Sequence, residues 1–379
     1  VAGKVFTLEA LEAKHGDALI LHYGAAASPR VIVIDGGPPG CYKKSVRPRL
    51  DAIRERRGGG TLEIRMLMVS HIDDDHITGV LDLTSDLIED DKAGKQLPFD
   101  ILTLWHNSFD DIIAKAGPAA VAEIMGHAPQ AAKEAAGGAA IIASVGQGRR
   151  LRQDADALTI NMNSGFDDLI QFEKPGKTLK IGGDLQFMVL GPRKDELDAL
   201  QEKWAKELPK IIAKEKKKSK PAAIAEFVDE SIHNLSSLVV LAESNGKRIL
   251  LTGDARGDYI IDSLKESKLL KNGRLEVDVL KVPHHGSQRN IAKVFFETVH
   301  ARHYVFSANG KYGNPDPPTF SDLFSARPKG PYDIWLTNNV KAAVTRIKAR
   351  KPAGVVLHVR DEDDEDQSVK IELADPIKW

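Results

Sequence analysis

The sequence predicts an α/β fold, and three observations carry that expectation. Apolar runs of strand length recur along the chain, rich in β-branched residues and bounded by turn residues. Helical stretches lie between many of them, the alternation that builds parallel sheets. Acidic and imidazole side chains gather just after several apolar runs, and open α/β sheets bind ligands past the carboxyl ends of their strands. At 379 residues the chain suits one large sandwich with insertions, so a single domain over residues 1–379 is expected.

Lys4 to Leu11 reads as the first strand. His15-Gly16-Asp17-Ala18 turns the chain into a second, Leu19 to Tyr23. Val31 to Ile34 forms a third and ends in Asp35-Gly36-Gly37, a turn suited to positive φ. Ser45 to Arg57 reads as a helix closed by Gly58-Gly59-Gly60. Its arginines, Arg47, Arg49, Arg54, Arg56 and Arg57, suit a solvated face or phosphate contacts, the solvated face being the plainer reading. Leu62 to Val69 is a buried strand, and Ile77 to Leu81 opens a helix. Phe99 to Trp105 is a strand ending in His106-Asn107-Ser108.

A helical insertion is expected over residues 110–172, with helices at Pro118 to His127, Gln130 to Ala136 and Ile141 to Leu151. Gly146-Gln147-Gly148 inside it has no strand before it and is not a phosphate loop. Leu179 to Leu190 is patterned as a strand. Residues 196–220 form a basic helical segment that ends in Lys210, Lys214, Lys216, Lys217, Lys218 and Lys220. Such a run suits a solvated surface or a nucleic-acid contact. Leu238 to Glu243 and Arg248 to Leu251 make a hairpin through Asn245-Gly246. Leu275 to Val282, His303 to Ala308 and Asp333 to Thr337 are further strands. The acidic run Asp361 to Asp366 is expected at a hairpin tip or in a mobile loop, and Val369 to Leu373 at a sheet edge.

Composition narrows the function classes. Hydrophobic residues are 42% and charged residues 28%, which places the chain among ordinary globular proteins. A net charge of -1 gives no global field for nucleic acid, so such binding must come from local patches. Cys41 is the only cysteine, which excludes a disulfide within the chain and argues against a cysteine-based zinc site. No apolar run is long enough to span a membrane, and Val1-Ala2-Gly3-Lys4 lacks the apolar core of a signal peptide. A cytoplasmic protein without membrane contact is the expectation.

Ser70-His71-Ile72-Asp73-Asp74-Asp75-His76 lies between a buried strand and a helix. Aspartates in that place commonly cap the helix. Two histidines and three aspartates within six residues exceed what a cap needs, so metal binding is expected. Residues i and i+2 of an extended chain point the same way, so His71 and Asp73 can share one ion. Asp75 and His76 follow the turn and can reach a second. Thr252-Gly253-Asp254-Ala255 and Pro283-His284-His285-Gly286-Ser287 each follow a strand too, at the same sheet edge.

The 71–76 cluster resembles the His-x-His-x-Asp-His signature of the metallo-β-lactamase fold, with Asp73 in the second histidine's place. Its His-x-Asp-x-Asp-His form is similar to the branch containing the metallohydrolase domain of the DNA-uptake protein ComEC. Gly16-Asp17-Ala18 with Ile34-Asp35-Gly36-Gly37, Thr252-Gly253-Asp254 and His284-His285-Gly286-Ser287 extend the likeness from about residue 4 to about residue 340. The resemblance implies an αββα sandwich with a helical insertion, in which the Asp35 turn lies beside the metals. It implies a binuclear Zn²⁺ or Mn²⁺ centre held by His71, Asp73, Asp75, His76, Asp254 and His284, with Asp254 bridging. Carboxylates favour harder ions, which sets manganese beside zinc. One of the paired histidines is a ligand, and the other meets a phosphate oxygen or donates a proton; the sequence does not say which. The expected catalytic set is Asp75, Asp254 and His285. Lys281, Ser287 and Asn314 are expected at the substrate.

Two departures stand out. Ser231 to Ser237 shows the Asn-x-x-Ser pattern of that branch where many such enzymes place a histidine ligand, and His233 is a possible substitute. Asn314-Pro315 stands where related sequences often show His-Pro. The resemblance implies a phosphodiesterase that cleaves DNA with a metal-activated water; a protein partner, as in DNA uptake or antiphage defence, is a possible further requirement. Near-neutral charge keeps a hydrolase of a small-molecule ester or phosphodiester as the alternative. The altered Asn314 keeps a metal-binding scaffold without turnover as another. No zinc finger, RNA-binding module or helix-turn-helix signature is visible.

Overall fold

The computed structural model describes residues 3–108, 138–167, 169–198, 202 and 237–378. The helices expected at Pro118 to His127 and Gln130 to Ala136, most of the basic segment 196–220, and His233 lie outside the described residues. The fold is mixed α/β. Among the described residues, two sheets of eight strands each form its centre.

The first sheet is built from β1 (Lys4–Leu11), β2 (Leu19–Ala25), β3 (Arg30–Ile34), β4 (Leu62–Met68), β5 (Phe99–Ile101), β6 (Thr103–Trp105) and β7 (Asn161–Met162). β1 to β3 are antiparallel neighbours, whereas β3, β4 and β6 run parallel. The second sheet holds β8 (Thr178–Gly182), β9 (Leu185–Gly191), β10 (Val239–Ser244), β11 (Lys247–Leu251), β12 (Leu275–Lys281), β13 (Val299–Phe306), β14 (Tyr332–Leu336) and β15 (Val355–Val359) in sequential order. From β11 to β15 every pairing is parallel. β16 (Ser368–Glu372) then returns to the first sheet, beside β1.

Alternation along the strands decides the layering. Phe6, Leu8 and Ala10 of β1 share one apolar core with Phe187 and Val189 of β9, Val240 and Ala242 of β10, and Val279 of β12. The sheets therefore pack face to face. The outer face of the first sheet is covered by α1 (Arg47–Arg56), α2 (Asp74–Lys92) and α3 (Gly138–Ala157), whose Leu50, Val80 and Leu151 join Val33 and Leu67 in a second core. The outer face of the other sheet is covered by α4 (Gly257–Glu266), α5 (Lys293–Thr298), α6 (Pro317–Ala326) and α7 (Lys341–Arg350). There Leu264, Phe296, Phe320 and Ile347 pack on Leu250, Leu280 and Tyr304. The strands β4, β11 and β12 read as nearly continuous apolar runs because both of their faces are covered.

Several elements differ from the sequence expectation for non-local reasons. Leu179 to Leu190 is two strands, β8 and β9, paired antiparallel across Gly182-Gly183. Phe99 to Trp105 is interrupted at Leu102, whose backbone N–H turns to Ile64 O at 3.1 Å, and both fragments pair with β4. The helix expected from Ser45 opens as a π-type turn over Tyr42–Val46 before α1. Ile141 to Leu151 is one part of the longer α3, which also contains Gly146-Gln147-Gly148. The acidic run Asp361 to Asp366 is not a hairpin tip, because β15 and β16 belong to different sheets and the run carries the chain from one to the other.

The arginines near α1 are largely occupied inside the protein. Arg49 is buried, with Nε 2.7 Å from Glu9 and a second nitrogen 3.0 Å from Asp366. Arg47 pairs with Asp51 at 2.6 Å, and Arg54 with the same carboxylate at 3.3 Å. Arg49 thus departs from the solvated-face expectation. Among the described residues, no helix is long and apolar enough to cross a membrane.

Candidate metal centre

Four strand ends bring the chemistry together. β3 delivers Asp35, β4 delivers Ser70 to His76, β11 delivers Asp254 and β12 delivers His284 and His285. The two sheets meet here directly, for Leu238 N–H donates to Ser70 O at 2.8 Å.

His76 is fully buried in the first turn of α2. Its Nδ1 lies 3.0 Å from Asp35 Oδ2, and Asp35 is itself fixed by the Ser70 backbone N–H at 2.7 Å and the Ser70 hydroxyl at 2.5 Å. A carboxylate can only accept, so Nδ1 carries a proton and Nε2 points inward. That Nε2 stands 3.3 Å from Asp254 Oδ1 and 3.9 Å from Asp75 Oδ1. His285 repeats the design. Its Nδ1 donates to the Ser307 carbonyl at 2.9 Å, and its Nε2 lies 3.4 Å from Asp75 and 3.6 Å from Asp254. Fixing one ring nitrogen so that the other faces a cation is the usual way proteins orient a ligating histidine.

His284 differs. Its Nδ1 is tied to Asn290 Oδ1 at 2.7 Å, and its Nε2 is 3.7 Å from Asp254. Its side chain is 32% exposed against 4% for His285, so it faces the solvent side of the cluster. Both histidines have positive φ, 46° and 54°, a region that costs non-glycine residues energy and clusters at functional sites. Gly286 completes this run at φ 83°, and a Cβ there would come within 2.9 Å of Phe306.

His76 Nε2, Asp254 Oδ1 and His285 Nε2 are buried and make no hydrogen bond of good geometry, although His76 Nε2 and Asp254 Oδ1 stand only 3.3 Å apart as an ion pair. Burying such atoms without a hydrogen bond is costly, and here they face one another across coordination-scale gaps. Three groups of side chains in this region have donor atoms within 4.8 Å of one another: Asp75, His76 and His285; Asp17, Asp35 and His76; Asp17, Asp254 and His285. Imidazole nitrogens with carboxylate oxygens are a donor set suited to zinc or manganese, so the residues fit a divalent ion.

Electrostatics agree with that fit. Burial works against a charged His76, yet Asp254, Asp35 and Asp75 outweigh it and push its pKa well up. Burial likewise opposes charge on His285, but Asp254 and Asp17 raise it to about 10. Asp254 moves the other way: burial disfavours its charge, and His76, His285 and His284 still hold it well below the carboxylate range. Without an ion, protons on the imidazoles supply the positive charge that the carboxylates require.

The remaining predicted residues are placed as follows. Asp73 stands at the N-cap of α2, but its side chain makes no capping bond, and Asp73 Oδ2 lies 3.4 Å from His71 Nδ1 instead. The His71 ring is 5.6 Å from that of His76. Neither His71 nor Asp73 belongs to the three groups above. Asp74 turns away to Thr78 and Gln147, at 2.7 and 2.9 Å. Lys281 is 1% exposed and paired with Asp17 at 2.5 Å, beneath the cluster. Ser287 is buried at the end of the histidine turn, where its N–H donates to His284 O at 2.8 Å. Asn314 is half-buried in a loop docked on that turn through Asp316 N–H and Gly286 O, 3.1 Å apart.

Asp17 and Asn290 are not in the set chosen from the sequence. Asp17 reaches both Lys281 and His285 Nδ1, the latter at 3.5 Å. Asn290 Nδ2 donates to the Asp254 carbonyl at 2.8 Å, so one amide ties the β11 loop to His284. The Gly-Asp-Ala motif signalled Asp17, whereas no motif marks Asn290.

No family model matches this chain, and no curated protein matches it. Among solved structures, a "Putative metal-dependent hydrolase" from Parabacteroides distasonis aligns over 93% of this chain and 92% of its own, with 9% identity and a TM-score of 0.36. A likeness of that size leaves both fold family and chemistry to be argued from this chain's own residues.

Proposed function

We propose that this chain is a metal-dependent phosphodiesterase built on the metallo-β-lactamase sandwich, with DNA as its substrate. One observation carries the metal dependence: buried donor atoms of His76, Asp254 and His285, paired only with one another and with Asp75, converge at coordination-scale distances. A divalent ion held there would make a water acidic enough to attack at neutral pH and would hold a phosphoryl oxygen.

The chain's own groups divide the remaining work. Asp75, His76, Asp254 and His285 would hold the ion. Asp35 and the Ser307 carbonyl keep His76 and His285 in the tautomer that presents Nε2. His284, the more exposed of the pair, faces the substrate side, where its protonated form donates a hydrogen bond to a phosphate or leaving-group oxygen. This reverses the expected roles of His284 and His285. His71 with Asp73 forms a second pair of donors for a further ion. The buried Lys281 acts through Asp17 to hold the floor of the site.

A smaller phosphodiester is the second reading, and the occupied arginines favour it. Arg47, Arg49 and Arg54 are engaged with carboxylates, which leaves them less free for the phosphate contacts that were the alternative to a solvated face. The test is hydrolysis of plasmid DNA, single-stranded DNA and bis(p-nitrophenyl) phosphate with added Mn²⁺ or Zn²⁺, using Asp254→Ala as the control. Cleavage of DNA supports the first reading. Hydrolysis of the small diester alone moves the substrate to the second. Inactivity on all three with every ion ends both.

A further inference from the structure

One exposed aromatic side chain at this end of the molecule is held in place too carefully for a surface residue without a task. Tyr312 is 68% exposed. Its ring stands perpendicular to that of His15, at a centroid distance of 5.1 Å and 88°, and the Lys311 ammonium sits over the Tyr312 ring, 4.8 Å from its centre. The two loops that meet in this contact each rest on a residue of the candidate centre.

The His15 loop packs directly on Asp75. Asp17 N–H donates to Asp75 O at 3.2 Å, and a Cβ on Gly16 would lie 1.9 Å from that oxygen, so only glycine permits the approach. The same Gly16 carbonyl accepts the Ser307 hydroxyl at 2.6 Å, next to the carbonyl that orients His285. Asp75, Lys311, His285 and Asp74 are the charges around the half-buried His15 ring. The Tyr312 loop is built off the histidine turn. Asp316 N–H donates to Gly286 O at 3.1 Å, and Asp316 Oδ2 accepts the Gln288 N–H at 2.9 Å. Gly313 N–H closes the turn on Gly310 O at 3.1 Å.

We propose that Tyr312, backed by His15 and flanked by Lys311, is a stacking platform for a nucleobase adjoining the phosphodiester at the centre. With 68% of Tyr312 exposed, aromatic surface is left open to a planar partner beside the Lys311 charge, and base stacking on aromatic side chains is tolerant of sequence. Lys311 adds a positive charge where a neighbouring phosphate of a single strand would pass. The platform rests on the phosphodiesterase reading and gives it a substrate class: single-stranded or frayed nucleic acid with an accessible base.

The experiment compares two fluorescein-labelled oligonucleotides of equal length, one with bases and one abasic, by anisotropy with the full chain. Wild type is expected to bind the base-bearing strand about tenfold more tightly. Tyr312→Ala erases that preference, and Tyr312→Phe keeps it. Equal affinity of wild type for both strands, or a preference that survives Tyr312→Ala, overturns the platform. Cleavage of the same strands by wild type with Mn²⁺ tests the reaction separately. Absence of cleavage of either strand sinks the nuclease reading, while cleavage of both with equal KM sinks only the platform.

Discussion

Two buried clusters of histidine and carboxylate among the described residues, at Glu9 and at Asp254, are neutralised in opposite ways. At Glu9 both carboxylate oxygens are occupied. Arg49 Nε and Ser368 Oγ each lie 2.7 Å from Oε1, and His22 Nε2 lies 2.9 Å from Oε2. Arg49 is a permanent cation, so His22 need not be charged, and burial lowers its pKa against the pull of Glu9. Burial opposes ionisation of Glu9, yet His22 and Arg49 hold its pKa near about 2. At Asp254, among the described residues, the ion-pair partners are histidines alone. Lys281, at the end of β12, is committed to Asp17. Both clusters are buried, so burial does not distinguish a structural cluster from a functional one. What sets them apart is that no arginine or lysine pairs with Asp254 among the described residues.

Ways to break this contrast run from large effects to small. Asp254→Ala is expected to lower turnover of an activated phosphodiester at least about a hundredfold, as loss of ion-orienting groups does. Glu9→Gln should leave turnover within about twofold, since no path to the centre runs through it. Equal losses in steady-state kinetics would erase the distinction between the clusters. Stability should respond the other way. Arg49→Met leaves Glu9 buried without its cation, a change that typically costs about 3–5 kcal/mol, readable by urea denaturation. A cost below about 1 kcal/mol would mean the guanidinium is not what neutralises Glu9.

Asp35→Asn sharpens the comparison without removing a ligand. It weakens the hold on the His76 tautomer and should lower metal affinity about 10–100-fold by competition with a chromogenic chelator. Unaltered affinity would show that Asp35 is only a turn residue.

The pH profile gives the smallest and most diagnostic effect. In chelated protein His285 has its pKa raised from 6.5 to about 10. Its stabilisation is therefore full below about pH 6.5 and lost as pH rises towards 10. Glu9 has its pKa lowered from 4.5 to about 2, so its stabilisation is full above 4.5 and lost as pH falls towards 2. Thermal melts in chelator should show both limbs. His285→Ala should make the alkaline limb shallower and Glu9→Gln the acid limb, the remainder coming from groups such as His76 and Asp254. An alkaline limb already flat in wild type would contradict the charge assigned to His285.

Much of the centre was legible because its parts sit at strand ends. The runs before His71, Asp254 and His284 are apolar and of strand length, which places all three at one edge before any coordinates are known. The order of His284 and His285 was not legible. Two successive residues with positive φ set which ring turns inward, and nothing in a His-His-Gly pair announces that conformation. Asp17 and Asn290 escaped because their roles come from pairing across loops far apart in sequence. The same non-local cause hid the path of Asp361 to Asp366, whose two flanking strands join different sheets. The arginines of 47–57 were misleading for a related reason: the partners Glu9 and Asp366 that occupy Arg49 lie 40 and 317 positions away.

The most direct test is metal content by mass spectrometry after dialysis of the full chain against Mn²⁺ or Zn²⁺. Wild type is expected to retain at least one ion per chain, and Asp254→Ala and His285→Ala to retain none at that site while remaining folded by circular dichroism. An ion-free wild type, or equal ion content in wild type and both variants, would contradict a cation held between His76, Asp254 and His285.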